Sequence, residues 1–71
     1  MKIEYNPDIQ TLYLRLAAGT IDRTIELAPE IYLDLDSAGR VLGIEVTYLP
    51  ALFEYLNQHE GRLDVPERIP A

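Results

Sequence analysis

Ile31-Tyr32-Leu33-Asp34-Leu35-Asp36-Ser37-Ala38-Gly39-Arg40-Val41-Leu42-Gly43-Ile44-Glu45-Val46 is the stretch on which the fold turns. It admits two readings. In the first, Ile31, Leu33 and Leu35 alternate with Tyr32, Asp34 and Asp36, and Leu42, Ile44 and Val46 alternate with Gly43 and Glu45. Period two marks half-buried strands, with Ser37-Ala38-Gly39-Arg40 as the turn between them. In the second, the run from Asp34 to Glu45 is an EF-hand calcium loop, with acidic residues at loop positions 1, 3 and 12, Gly at 6 and an apolar residue at 8. Position 5 speaks against it, because Ala38 has no side-chain oxygen. Context speaks against it more strongly, since an EF-hand needs a helix on each side and Glu30 to Asp36 alternates as a strand after Pro29. In a hairpin Glu45 falls opposite Tyr32 and cannot close a calcium shell. The hairpin is the better reading, with Gly39 supplying a positive φ.

Register follows from parity, because a slip of one residue carries a whole apolar set to the other face. Pairing Leu35 with Leu42, Leu33 with Ile44 and Ile31 with Val46 keeps the large aliphatics together. Upstream, Ile21, Ile25 and Leu27 oppose Asp22, Thr24 and Glu26, and Ala28-Pro29-Glu30 turns the chain, pairing Leu27 with Ile31 and Ile25 with Leu33. Arg23 falls on the apolar face, opposite Leu35 or Leu14, where its stem can lie along the core. Further back, Leu12, Leu14 and Leu16 alternate with Thr11, Tyr13 and Arg15, and Ala17-Ala18-Gly19-Thr20 breaks the run. At the start Ile3 and Tyr5 alternate with Lys2 and Glu4 before the turn residues Asn6-Pro7-Asp8. The connections are too brief for parallel crossovers, so residues 2–48 read as an antiparallel meander of about five short strands.

Alternation stops at Leu49-Pro50. Proline suits a first helical turn, Leu49, Leu52, Phe53 and Leu56 recur at helical spacing, and Gly61 is a natural stop. The expected fold is α+β: the meander plus one C-terminal helix, about 50–60, packed on the apolar sheet face. Residues 1–61 form the single small domain and 62–71 an extended C-terminal arm, with Leu63 and Val65 alternating between prolines. Whether the arm packs on its own subunit, on a neighbour, or on nothing is open at this point.

Composition narrows the function. Twelve acidic residues against six basic give a net charge of −6 and a pI near 4.5, which disfavours a nucleic-acid partner. There is no cysteine, which removes disulfides and thiolate chemistry. No apolar run is long enough to span a membrane, and Met1-Lys2-Ile3-Glu4 does not open a signal peptide, so a cytoplasmic protein is expected. A 71-residue chain without disulfides is marginal as an isolated fold, which raises the expectation of a homo-oligomer.

No catalytic constellation emerges and no cofactor is expected. Asp34, Asp36 and Glu45 are the only metal-ligand candidates, and they rank below a solvated acidic face shared with Asp22 and Glu26. His59 suits a helix C-terminus. Ser37 lacks partners for nucleophilic catalysis. Tyr13, Tyr32, Tyr48 and Tyr55 are the interaction-surface candidates, since tyrosine joins a large contact area to a polar tip. The competing reading has them bracing cross-strand neighbours.

Several of these runs, namely Tyr5-Asn6-Pro7, Leu12-Tyr13-Leu14-Arg15-Leu16, Thr24-Ile25-Glu26-Leu27, Tyr32 to Asp36 and Gly39 to Val46, together resemble a family of small prokaryotic proteins catalogued as domain of unknown function 2283. The resemblance covers about residues 1–47, departs at Asn6 and Ala38, where acidic residues are the commoner choice, and does not reach past Tyr48. It implies a compact β-rich fold and carries no catalytic residue. It also implies an antitoxin-like role beside a small basic protein encoded next door. The expected function is therefore a non-enzymatic protein-interaction module. The alternative is a metal- or small-molecule-binding protein whose site forms at a subunit interface.

Overall fold

Two hairpins with conflicting demands set the register of this sheet. The computed structural model describes residues 1–70. Its elements are β1 (Lys2–Asn6), β2 (Thr11–Arg15), β3 (Arg23–Ala28), β4 (Ile31–Leu35), β5 (Val41–Val46) and α1 (Leu49–Gln58). All neighbouring strands are antiparallel, and the Asp34–Glu45 segment is a hairpin with strands on both sides of its turn.

Between β4 and β5, Ile31 pairs with Val46 and Leu33 with Ile44 as expected, but Leu35 pairs with Val41 instead of Leu42. The turn explains the shift. Residues 37–39 make a three-residue loop in which Gly39 adopts φ 83°, and the Asp36 N–H bonds to the Arg40 carbonyl at 3.0 Å. Pairing Asp36 with Arg40 is one residue out of step with the aliphatic pairing, and Leu42 takes up the difference as a bulge. The same conflict recurs between β3 and β4. Ile25 pairs with Leu33 as expected, but the two-residue turn Pro29-Glu30 pairs Ala28 with Ile31, so Leu27 becomes the extra residue and the Leu27–Ile31 pair does not form.

The strand order is β1-β2-β5-β4-β3. β3, β4 and β5 follow one another as a meander and β1–β2 is a hairpin, but β2 lies against β5 and not against β3. Residues 16–22 pass beneath the ends of β5 and β4, held by Leu16 and Ala17 N–H groups on the Leu42 carbonyl (2.8 and 3.2 Å) and by Asp22 N–H on the Leu35 carbonyl (2.8 Å). This is a Greek-key connection, and seven residues easily span the roughly 14 Å of three strand spacings. Burial gives the reason. β5 is the most apolar strand, and a chain-order meander would have left it on an edge; in the observed order it is central and all but Glu45 are buried. Arg23 sits opposite Leu35, on the same apolar face as Leu14 but three strand positions away from it.

The core consists of Ile31, Leu33, Leu35, Val41 and Ile44, with Leu14, Ile25, Leu27, Leu52, Tyr55, Leu63, Val65 and Ile69 packed around it. Leu42, expected in that set, instead fills the space beneath Gly19 of the crossing loop. Helix α1 opens at Tyr48 with Pro50 in its first turn, and lays Leu52 and Tyr55 on the core. Phe53, expected on the buried stripe, is 55% exposed. A stripe through Leu52, Tyr55 and Leu56 turns Phe53, about 100° round from Leu52, towards solvent.

The C-terminal arm packs on its own chain. Leu63, Val65 and Ile69 join the core, and residues 67–69 pair with the part of β5 and its turn that projects past the end of β2. Val41 N–H bonds to the Glu67 carbonyl at 3.0 Å and Ile69 N–H to the Gly39 carbonyl at 2.8 Å. Gly39 is required there twice over, for its φ and because a Cβ would overlap the Ile69 carbonyl.

Candidate functional site

The face opposite the core is built from two rows that cross all the strands. Glu4, Tyr13, Glu45, Tyr32 and Glu26 make one row; Lys2, Arg15, Gly43, Asp34 and Thr24 make the other. Gly43 is the gap in the second row. The Tyr13 ring leans from its own row into that gap, where a Cβ on residue 43 would stand 2.6 Å from the phenol Cζ. The ring covers Asp34, which accepts a hydrogen bond from the Thr24 hydroxyl at 2.7 Å and is only 3% exposed. A carboxylate expected in a solvated face is therefore buried. An alternating pattern marks which side a residue faces, and here a neighbouring aromatic closes over that side.

Burial is the first cause of the perturbed groups. It raises the Tyr13 phenol, helped by the charge of Asp34 and its acceptor oxygens, against a lowering effect from Arg15. The Arg15 guanidinium carbon lies 5.8 Å from the centre of that ring. Although Asp34 is near enough to act on it, the Tyr13 hydroxyl is buried without a well-formed hydrogen bond among the described residues. Burial also raises Glu45, reinforced by the carboxylate oxygens and the charge of the neighbouring Asp34. A shallow, open concavity of about 610 Å³ runs from these groups to β1, lined by Glu4, Tyr13, Arg15, Asp34 and Glu45 among others. It offers carboxylate acceptors and a protonated phenol.

The three metal-ligand candidates are not brought together. Asp34 and Glu45 are neighbours, but Asp36 belongs to the β4–β5 turn, where one carboxylate oxygen accepts the Ala38 and Arg40 N–H groups, both at 2.9 Å. The acidic residue at the third calcium-loop position is thus the residue that ties the hairpin turn. Among the described residues no group of three or more His, Cys, Asp or Glu side chains is placed to hold a metal ion. His59 stacks on Tyr55 with ring centres 3.8 Å apart, and its Nδ1 lies 2.7 Å from the Tyr55 carbonyl. No helix is long and apolar enough to cross a membrane among those residues.

The four tyrosines do not share a surface. Tyr13 and Tyr32 flank Glu45 on the outer face, Tyr48 directly precedes α1, and Tyr55 packs on the core. The open apolar surface lies elsewhere. Every residue of β1 is exposed, and its two core-side residues, Ile3 and Tyr5, are 58% and 55% exposed opposite half-buried Leu14 and Leu12. Ile9, in the turn of the same hairpin, is exposed as well. Neither Ile3 nor Tyr5 stood out as a site residue, because each fits the core pattern. The available signal was one of size. Five strands span roughly 19 Å between the outer axes, whereas a helix is only about 10 Å across.

The family described as "Protein of unknown function (DUF2283)" matches residues 2–48, the whole of the sheet, and leaves out α1 and the arm. No curated protein and no solved structure matches the chain.

Proposed function

The chain belongs to the DUF2283 family, and from that premise we propose that it is a non-enzymatic protein-interaction module that binds through its β1–β2 hairpin. One observation supports this reading above the others. The apolar sheet face is covered over β3, β4 and β5 by α1 and the arm, and left bare over β1, where Ile3 and Tyr5 lie open. A bare apolar strip bordering an unpaired strand edge is the geometry of association by strand addition. The partners the reading names are a second copy of the chain and a small basic protein encoded next to it, for which the −6 charge favours fast encounter.

The test is size-exclusion chromatography with light scattering, on the purified chain alone and mixed with the adjacent gene product, each repeated with Ile3→Lys. The reading expects a complex in at least one case and its loss in the variant. A monomer that binds nothing sinks it. The metal-binding alternative draws no support from Asp36, which is committed to its turn.

A further inference from the structure

The two edges of the sheet are not equivalent. β3 carries the devices that discourage pairing: a bulge at Leu27, the charged Arg23 on its apolar side opposite Leu35, and Pro29 directly after it. β1 has no bulge and no proline within it, and its register with β2 is unbroken. Its apolar side chains face the bare strip, and its charges, Lys2 and Glu4, lie on the outer face, 3.1 Å apart.

We infer that β1 pairs antiparallel with β1 of a second copy, about a twofold axis normal to the sheet at Ile3. The inference rests on the interaction reading above and gives it a partner and a register. A twofold axis of this kind keeps each face of the sheet on its own side, so residues opposite one another across the axis must share parity. Few registers remain. With Glu4 on the axis, Glu4 faces its own copy, and like charges directly opposite are unfavourable. With Lys2 on the axis the same objection applies. With Tyr5 on the axis, Ile3 falls opposite Pro7, which has no N–H to give. With Ile3 on the axis, Lys2 of each chain faces Glu4 of the other, so two opposite-charge pairs form on the outer face while Ile3 meets Ile3 beneath. The charges that would repel in the neighbouring registers become complementary in this one. That self-complementarity selects a second copy as the occupant, against the general repulsion between two chains of charge −6. One strand edge buries less than the roughly 800 Å² per partner of a standard interface, so the dimer is a concentration-dependent one.

The absence of cysteine makes the register directly readable. Opposed residues in an antiparallel pair have Cα atoms about 4.5–5.5 Å apart, within disulfide reach. Under mild oxidant Ile3→Cys is expected to give a covalent dimer, and Tyr5→Cys and Glu4→Cys at least tenfold less of it. Cross-linking chiefly through Glu4→Cys overturns the register, and equal yields from all three overturn the paired strand. In light scattering, K2E and E4K are each expected to weaken the dimer, and the K2E/E4K double variant to recover it; a double variant as weak as the singles overturns the charge argument. Circular dichroism on each variant separates lost pairing from lost folding. A chain that stays monomeric yet binds the adjacent gene product overturns this inference and leaves the interaction reading standing. One that does neither ends both.

Discussion

The β1–β2 hairpin and the β3–β4–β5 meander carry the same alternation of apolar and polar residues, yet they end in opposite conditions. In the meander, Ile31, Leu33 and Leu35 are completely buried beneath α1 and the arm. In the hairpin, Ile3 and Tyr5 stay mostly exposed. The contrast separates two properties that a strand pattern merges. Alternation states which side of a sheet avoids water; what covers that side depends on how far the rest of the chain reaches.

The largest expected effect would break this comparison if it failed. Leu33→Ala removes a side chain from the centre of the core and should cost about 2–5 kcal/mol of unfolding free energy, read as a lower urea midpoint. Ile3→Ala removes a similar side chain from the bare strip and should change the stability of the monomer by less than about 1 kcal/mol, since more than half of it is already in water. Equal losses at dilute concentration would show that the hairpin face is covered after all.

Gly39→Ala comes next and asks whether the cover depends on the turn. The substitution meets both a positive φ and the Ile69 carbonyl. It should cost roughly 1–3 kcal/mol, with faster amide exchange at Val41 and Ile69, whose N–H groups make the two bonds between arm and turn. Loss of stability without faster exchange at those two amides would mean that the arm stays docked and that the cost is the strain of the turn itself.

How much of this could be read beforehand follows the reach of each interaction. The strands and their apolar faces were legible, because parity is local and Leu33–Ile44 and Ile25–Leu33 follow from it. The bulges at Leu27 and Leu42 were not, because each settles a conflict between a face pattern and a turn that prefer registers one residue apart. The place of β2 beside β5 was not legible either, since nothing near Tyr13 in the chain points to Gly43. Asp34 and Asp36 look alike in the pattern, but one lies under the Tyr13 ring and the other ties a turn. At the bare strip the residues were assigned to the correct face of the sheet. That α1 and the arm are too small to cover it is not written in the alternation of β1.

On the outer face Tyr13→Phe should sharpen the comparison, because it retains the ring over Gly43 while removing a hydroxyl that is buried without a well-formed bond. Relief of an unsatisfied polar atom is worth about 1–3 kcal/mol at most. A gain at the lower end is expected, because Asp34 stands near enough to supply part of what the hydroxyl lacks. A loss of stability would show that the contact between Tyr13 and Asp34 outweighs its poor geometry.

The smallest effect concerns Glu45, which lies between Tyr13 and Tyr32 in that face. Burial and the adjacent Asp34 raise its carboxyl above the ordinary value of 4.5. Across the window from 4.5 up to that raised value, the folded chain holds a proton at Glu45 that the unfolded chain has released. Stability then falls as pH rises through the window, because the folded state binds more protons there. Below the window both states are protonated, and above it the full cost of the half-buried charge is present. Glu45→Gln should therefore be more stable than the parent at pH 7 and nearly equal to it at pH 4, with the difference in urea midpoint opening as pH rises. Ile3→Ala, on the opposite face, should leave that pH dependence as it is. A Glu45→Gln difference that does not change with pH would mean that water reaches Glu45 freely, and that the Tyr13 ring does not close this face as Asp34 suggests.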